Sequence, residues 1–120
     1  MIRTEGLTHV HLIVENLDRS LHFYTEAFGL EEQFRDGPTV VFLRTPGSAD
    51  SITINCQPGD PRIGRGGIDH LGFRLLDKTD LDDAIRQAEA AGGRLVERGE
   101  HQPGIPFAYV ADPDGYLIEL

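Results

Sequence analysis

At 120 residues the chain has room for one domain and a core of modest size. Apolar residues make up 39% and charged residues 26%, ordinary values for a soluble globular protein. The net charge of −9 argues against nucleic acid and anionic membrane surfaces as partners, and the single cysteine excludes an intrachain disulfide.

The first strand is expected over residues 7–14, where Val10, Leu12 and Val14 form one face and His9, His11 and Ile13 the other. Asn16 is a good N-cap for the helix that follows. Leu17, Leu21, Tyr24 and Phe28 recur along it at helical spacing, and Gly29 stops it. Three short strands fit next, over 31–35, 39–44 and 51–56, with turns at Gly37-Pro38 and Pro46-Gly47. Cys56 ends the third on its apolar side and is expected to be a buried packing residue. The stretch 58–66, rich in Gly and Pro, reads as a linker.

The pattern then repeats. A strand over 68–75 precedes a helix from Asp80 or Leu81 to Ala91, with Asp80 as its cap, Leu81, Ala84, Ile85 and Ala88 as its buried stripe, and Gly92 as its stop. Strands over 94–98, 106–111 and 116–120 complete the half, the last two joined by the turn Asp112-Pro113-Asp114-Gly115. His9 and His70 are 61 residues apart and the helix-ending glycines 63, the mark of a duplication. The expected fold is α+β: two paired βαβββ modules, about 7–57 and 67–120, curled into an eight-stranded cleft with the helices on the outer faces.

If each helix packs on the apolar face of its own sheet, His9, His11, His70, Arg74 and Glu119 turn the other way, into the cleft. A carboxylate there needs a partner. Two imidazoles and a divalent cation supply one, and such a set leaves coordination positions open to water, substrate or oxygen. His9, His70 and Glu119 are therefore the candidate metal ligands. The metal itself (Fe(II), Mn, Ni, Co or Zn) is not chosen by the ligands alone. His11 is a candidate general base. His22 and His101 read as surface residues on a helix and a loop.

The motifs His9-Val10-His11-Leu12-Ile13-Val14-Glu15-Asn16-Leu17, Ser20-Leu21-His22-Phe23-Tyr24, Phe28-Gly29-Leu30, Asp69-His70-Leu71-Gly72-Phe73 and Asp112-Pro113-Asp114-Gly115 leading into Ile118-Glu119-Leu120 resemble the vicinal oxygen chelate superfamily. That superfamily includes glyoxalase I, fosfomycin-resistance thiol transferases, extradiol dioxygenases and bleomycin-resistance proteins. The resemblance covers nearly the whole chain. It implies metal ligands at His9, His70 and Glu119, an aromatic hydroxyl near the substrate at Tyr109, and a homodimer in which modules of different subunits can share a cleft. Thr53, Asn55, Arg74 and Phe107 are the expected contacts to a small-molecule substrate. Thr53 stands where glyoxalase I carries a fourth, carboxylate ligand, and threonine cannot serve as the carboxylate base. The functional expectation is a metal-dependent enzyme with dioxygenase-like or glyoxalase-like chemistry. The alternative is a metal-free protein sequestering a drug or metabolite, as bleomycin-resistance proteins do. With no signal peptide or long apolar run, a cytoplasmic location is expected.

Overall fold

A computed structural model describes residues 1, 3, 7, 9–66, 68, 70–73 and 75–120. The first half contains β1 (Val10–Val14), α1 (Leu17–Phe28), β2 (Glu31–Asp36), β3 (Val40–Arg44) and β4 (Ile52–Cys56). The second contains β5 (Leu71–Gly72), a 3-10 turn (Lys78–Asp80), α2 (Leu81–Ala90), β6 (Arg94–Gln102), β7 (Ile105–Ala111) and β8 (Leu117–Glu119). The strands form two four-stranded sheets in the orders β1-β4-β3-β2 and β5-β8-β7-β6. In each sheet the first strand runs parallel to the fourth and the other pairs are antiparallel. The duplication read from the histidines is thus repeated in the topology.

Local chemistry explains most boundaries. The Asn16 side chain accepts from the Arg19 backbone N–H at 2.9 Å, and Gly29 ends α1 at φ 65°, a left-handed value that costs glycine nothing. Asp80 stands at the N-cap position of α2, as expected, but makes no side-chain cap hydrogen bond. Asp77 caps the preceding 3-10 turn instead, its carboxylate accepting from the Thr79 N–H and hydroxyl. Two strands differ from their expected lengths. The strand expected over 68–75 is reduced to Leu71–Gly72, because it lies at the edge of its sheet and its one neighbour, β8, is only three residues long. β6 instead runs on to Gln102, because it is paired with β7 as far as Gln102 opposite Ile105.

The helix-facing sides of both sheets share one core. Leu12, Val14, Val41 and Ile54 from the first sheet meet Phe23 and Tyr24 of α1, Ala88 of α2, and Val110 and Ile118 of the second sheet. Phe28 and Phe73 stack across the halves, with ring centroids 4.4 Å apart. Polar contacts reinforce the seam. The Tyr24 hydroxyl donates to Asp112 at 3.0 Å, Arg19 pairs with Asp114 at 2.8 Å, and the Tyr116 hydroxyl donates to the Ile13 carbonyl at 2.8 Å. Cys56 is half-buried against this core, not fully buried, with its thiol 3.5 Å from the Glu15 carbonyl.

Gly93 fits this packing only because it has no side chain. A Cβ there would stand 2.6 Å from a Phe23 ring carbon, 2.9 Å from the Ala111 carbonyl oxygen and 3.0 Å from that of Ala88. Gly93→Ala is expected to destabilise the fold by about 1–3 kcal/mol, read as a lower urea midpoint at unchanged m-value.

Candidate functional site

The site residues come from alternation on the strands. In β1 and β4, Leu12 and Ile54 pair and enter the core, which puts the paired His11 and Thr53 on the opposite face. Phe42 lies across Thr53 on β3 and shares that face. His9 stands just before β1, exposed, with its ring 6.4 Å from that of Phe42. In the second sheet Val110 and Ile118 pair and are buried, so Tyr109 and Glu119, also paired, lie on the face away from the helix. His70 stands just before β5.

The strongest contacts converge on Glu119. His70 Nε2 lies 2.9 Å from Glu119 Oε2, and His101 Nε2 lies 2.6 Å from Glu119 Oε1. The hydrogen bond to His101, with the field of both imidazoles, holds the Glu119 carboxyl below its usual range, so it is ionised. Aromatic contacts fix the imidazoles. Tyr109 meets the His70 ring edge-on at 5.0 Å, Phe107 meets Tyr109 at 5.3 Å, and Phe107 stacks on His101 at 4.3 Å.

Of the expected ligands, then, His70 and Glu119 touch. His9 lines a cavity of about 380 Å³ together with His70. Among the described residues of one chain, no group of three or more His, Cys, Asp or Glu side chains is so arranged that it could hold a metal ion. His11 is exposed and lines a second cavity, of about 370 Å³, with His70, Arg62 and Arg65. Asn55 is half-buried and pairs with Ile13 in β1. Thr53 is fully buried, and neither its hydroxyl nor that of Ser51 has a hydrogen-bond partner among the described residues. Arg74 lies outside the described residues.

His101 is the residue the strand reading misplaced. It lies on β6, not in a loop, and it grips the carboxylate. The turn Pro103-Gly104, with Gly104 at φ 80°, carried the missing signal. A Pro-Gly pair can serve as a tight hairpin turn, and strands extended up to it take in His101.

The donor set suits a divalent cation: an ionised carboxylate with an imidazole nitrogen within 3 Å of it. The hydroxyls of Thr53, on β4 opposite His11, and of Ser51, just before β4, add buried polar atoms that lack hydrogen-bond partners among the described residues.

The sequence model of the Glyoxalase/Bleomycin resistance protein/Dioxygenase superfamily matches residues 6–120. The chain belongs to this superfamily. It is 32% identical over 114 residues to a manganese-dependent 2,3-dihydroxybiphenyl 1,2-dioxygenase from Geobacillus genomosp. 3, covering 93% of this chain but only 35% of that protein. It is also 32% identical over 125 residues to a probable lactoylglutathione lyase from Vibrio parahaemolyticus, covering 95% of this chain and 88% of that one. Among solved structures, a glyoxalase/bleomycin resistance protein/dioxygenase domain from Frankia superposes with a TM-score of 0.75 at 31% identity, over 98% of this chain and 96% of that one. The fosfomycin resistance protein FosX of Listeria monocytogenes, solved with Mn(II) and a dihydroxypropylphosphonic acid, superposes with a TM-score of 0.79 at 24% identity, over 98% and 90%. That likeness shows the shared fold. No helix among the described residues is long and apolar enough to cross a membrane.

Proposed function

We propose that this superfamily member is a divalent-metal-dependent enzyme whose ligands are His9, His70 and Glu119, acting on a small molecule with two neighbouring oxygens. The observation that carries the reading is the contact of His70 Nε2 with an ionised Glu119. The manganese dependence of the Geobacillus relative points the same way. A divalent ion held there would act as a Lewis acid toward the substrate oxygens.

The remaining roles fall to side chains on the same strands. His101 is a positioning residue: it holds Glu119 Oε1 while Oε2 faces His70. His11 accepts a proton from a substrate hydroxyl, and the Tyr109 hydroxyl donates a hydrogen bond to a substrate oxygen. The centre of β4 carries Thr53 and no carboxylate. That favours dioxygenase-like chemistry over a lyase that needs a carboxylate to remove a carbon-bound proton.

The third ligand comes from a second copy of the chain in this reading. Among the described residues of one chain, no group of three or more His, Cys, Asp or Glu side chains could hold a metal ion. In a two-fold dimer, His9 of one subunit faces the His70–Glu119 pair of the other.

Elemental analysis of the purified protein tests the proposal, with about one divalent metal per chain expected. Catechol turnover that a chelator abolishes supports the dioxygenase-like reading, and turnover of a methylglyoxal–thiol adduct alone replaces it with the lyase. Metal-free protein that cannot be loaded with Mn, Fe, Ni, Co or Zn sinks both. His101→Gln is expected to weaken metal binding about 10–100-fold without abolishing it, as losses of a carboxylate's orienting partner do. Competition with a fluorescent chelator measures this.

A further inference from the structure

Glu119 and His101 also form one wall of a third cavity, of about 500 Å³. Facing them are Phe73, Leu75, Leu81, Ile105 and Pro106, and among the described lining residues His101 and Glu119 are the only ones with polar side chains. The His70–Glu119 contact therefore lies between two different environments. On the His70 side the cavity carries Arg62, Arg65 and His11. On the Glu119 side the walls are apolar.

Ile105, at the tip of the β6–β7 hairpin, is 52% exposed beside this cavity. An apolar cavity of several hundred cubic ångströms with a few polar groups at one end is the usual form of a small-molecule site. The volume exceeds what a two-oxygen chelating group fills alone. The arginines Arg62 and Arg65, which would favour an anion, line the other cavity and not this one.

We infer that the substrate carries an uncharged apolar substituent, aliphatic or aromatic, that lies between Leu81 and Ile105 while its paired oxygens sit at His70 and Glu119. The inference rests on the metal-site reading and adds a substrate class to it. Ile105 is then a specificity-determining residue.

Straight-chain hydroxamic acids test it, because each offers the same two adjacent oxygens with a tail of chosen length. Calorimetric titration of the Mn(II)-loaded protein with the aceto-, butano-, hexano- and octano- members is expected to show affinity rising about three- to fourfold per added methylene until the cavity is filled. In Ile105→Asp the series flattens, the dependence on tail length being read relative to that variant's own affinity for acetohydroxamate. Ile105→Ala, which introduces no charge, reduces the slope without flattening it. Metal-dependent acetohydroxamate binding with no dependence on tail length overturns this inference alone. An equal slope in native protein and Ile105→Asp does so too. Absence of any metal-dependent acetohydroxamate binding overturns the metal reading, and this inference with it.

Discussion

Mixing His9→Ala with Glu119→Gln is expected to restore what neither variant has. In the proposed shared site, each homodimer has lost one ligand from both of its sites. In a mixed dimer, however, one site combines the intact His9 of one subunit with the intact His70 and Glu119 of the other, and the second site carries both lesions. Random pairing after joint unfolding and refolding makes half of all dimers mixed, so roughly a quarter of the sites recover metal binding. Recovery is measured as Mn(II) bound per chain after gel filtration, against each variant refolded alone. If each chain closed its own site, every site in the mixture would still lack a ligand and recovery would be nil. The expectation stands on two observations: His70 and Glu119 are in contact within the chain, and among its described residues no group of three His, Cys, Asp or Glu side chains could hold a metal ion.

Asp112→Asn is expected to stabilise the protein in alkaline solution and to do little in acid. Asp112 is 4% exposed, packed between the halves where the Tyr24 hydroxyl and the N–H groups of Asp114 and Tyr116 donate to it. Burial raises its carboxyl to about 6 despite these bonds. The sign follows from the direction. A carboxyl raised in the fold contributes stability that is complete below the unfolded value, near 4, and is lost as the pH climbs through about 6. At pH 8 the native protein therefore carries a desolvated charge. Asparagine keeps an acceptor for the two N–H groups and turns its amide toward the Tyr24 hydroxyl oxygen, without the charge. A two-unit rise corresponds to about 3 kcal/mol, so the variant should exceed the native protein by on the order of 2–3 kcal/mol at pH 8 and by close to nothing near pH 4. Urea denaturation at the two pH values measures the difference. A gap that is the same at both would place the effect in packing and not in charge.

The two cases show what the sequence carries and what it does not. The duplication was legible because β1 and the segment around His70 repeat one alternation, and because a positive-φ glycine follows each helix, Gly29 as the C-cap of α1 and Gly92 one residue past the Ala91 C-cap of α2. Tyr24 and Phe28 were legible as packing residues from helical spacing alone. The length of β5 was not, because an edge strand is as long as its neighbour permits, and β8 offers Leu71 and Gly72 partners only at Ile118 and Glu119. His70 and Glu119 were readable as facing one way from strand alternation. Their 2.9 Å contact is a tertiary fact. The bond from His101 depends on a hairpin register with two irregularities, between Leu95 and Glu97 and between Glu100 and Gln102, and alternation cannot count through such a shift. Asp112 was legible as a turn residue. Its burial under Tyr24 of the other half was not, since nothing local records which side chain covers it.

Crystals grown with Mn(II) test the central claim most directly, through an anomalous difference map. The account predicts one peak per chain, within coordination distance of Glu119 and His70 of one subunit and His9 of its partner. A peak held by His70, Glu119 and His101 with His9 remote from it would contradict the account, and so would the absence of any peak at Glu119.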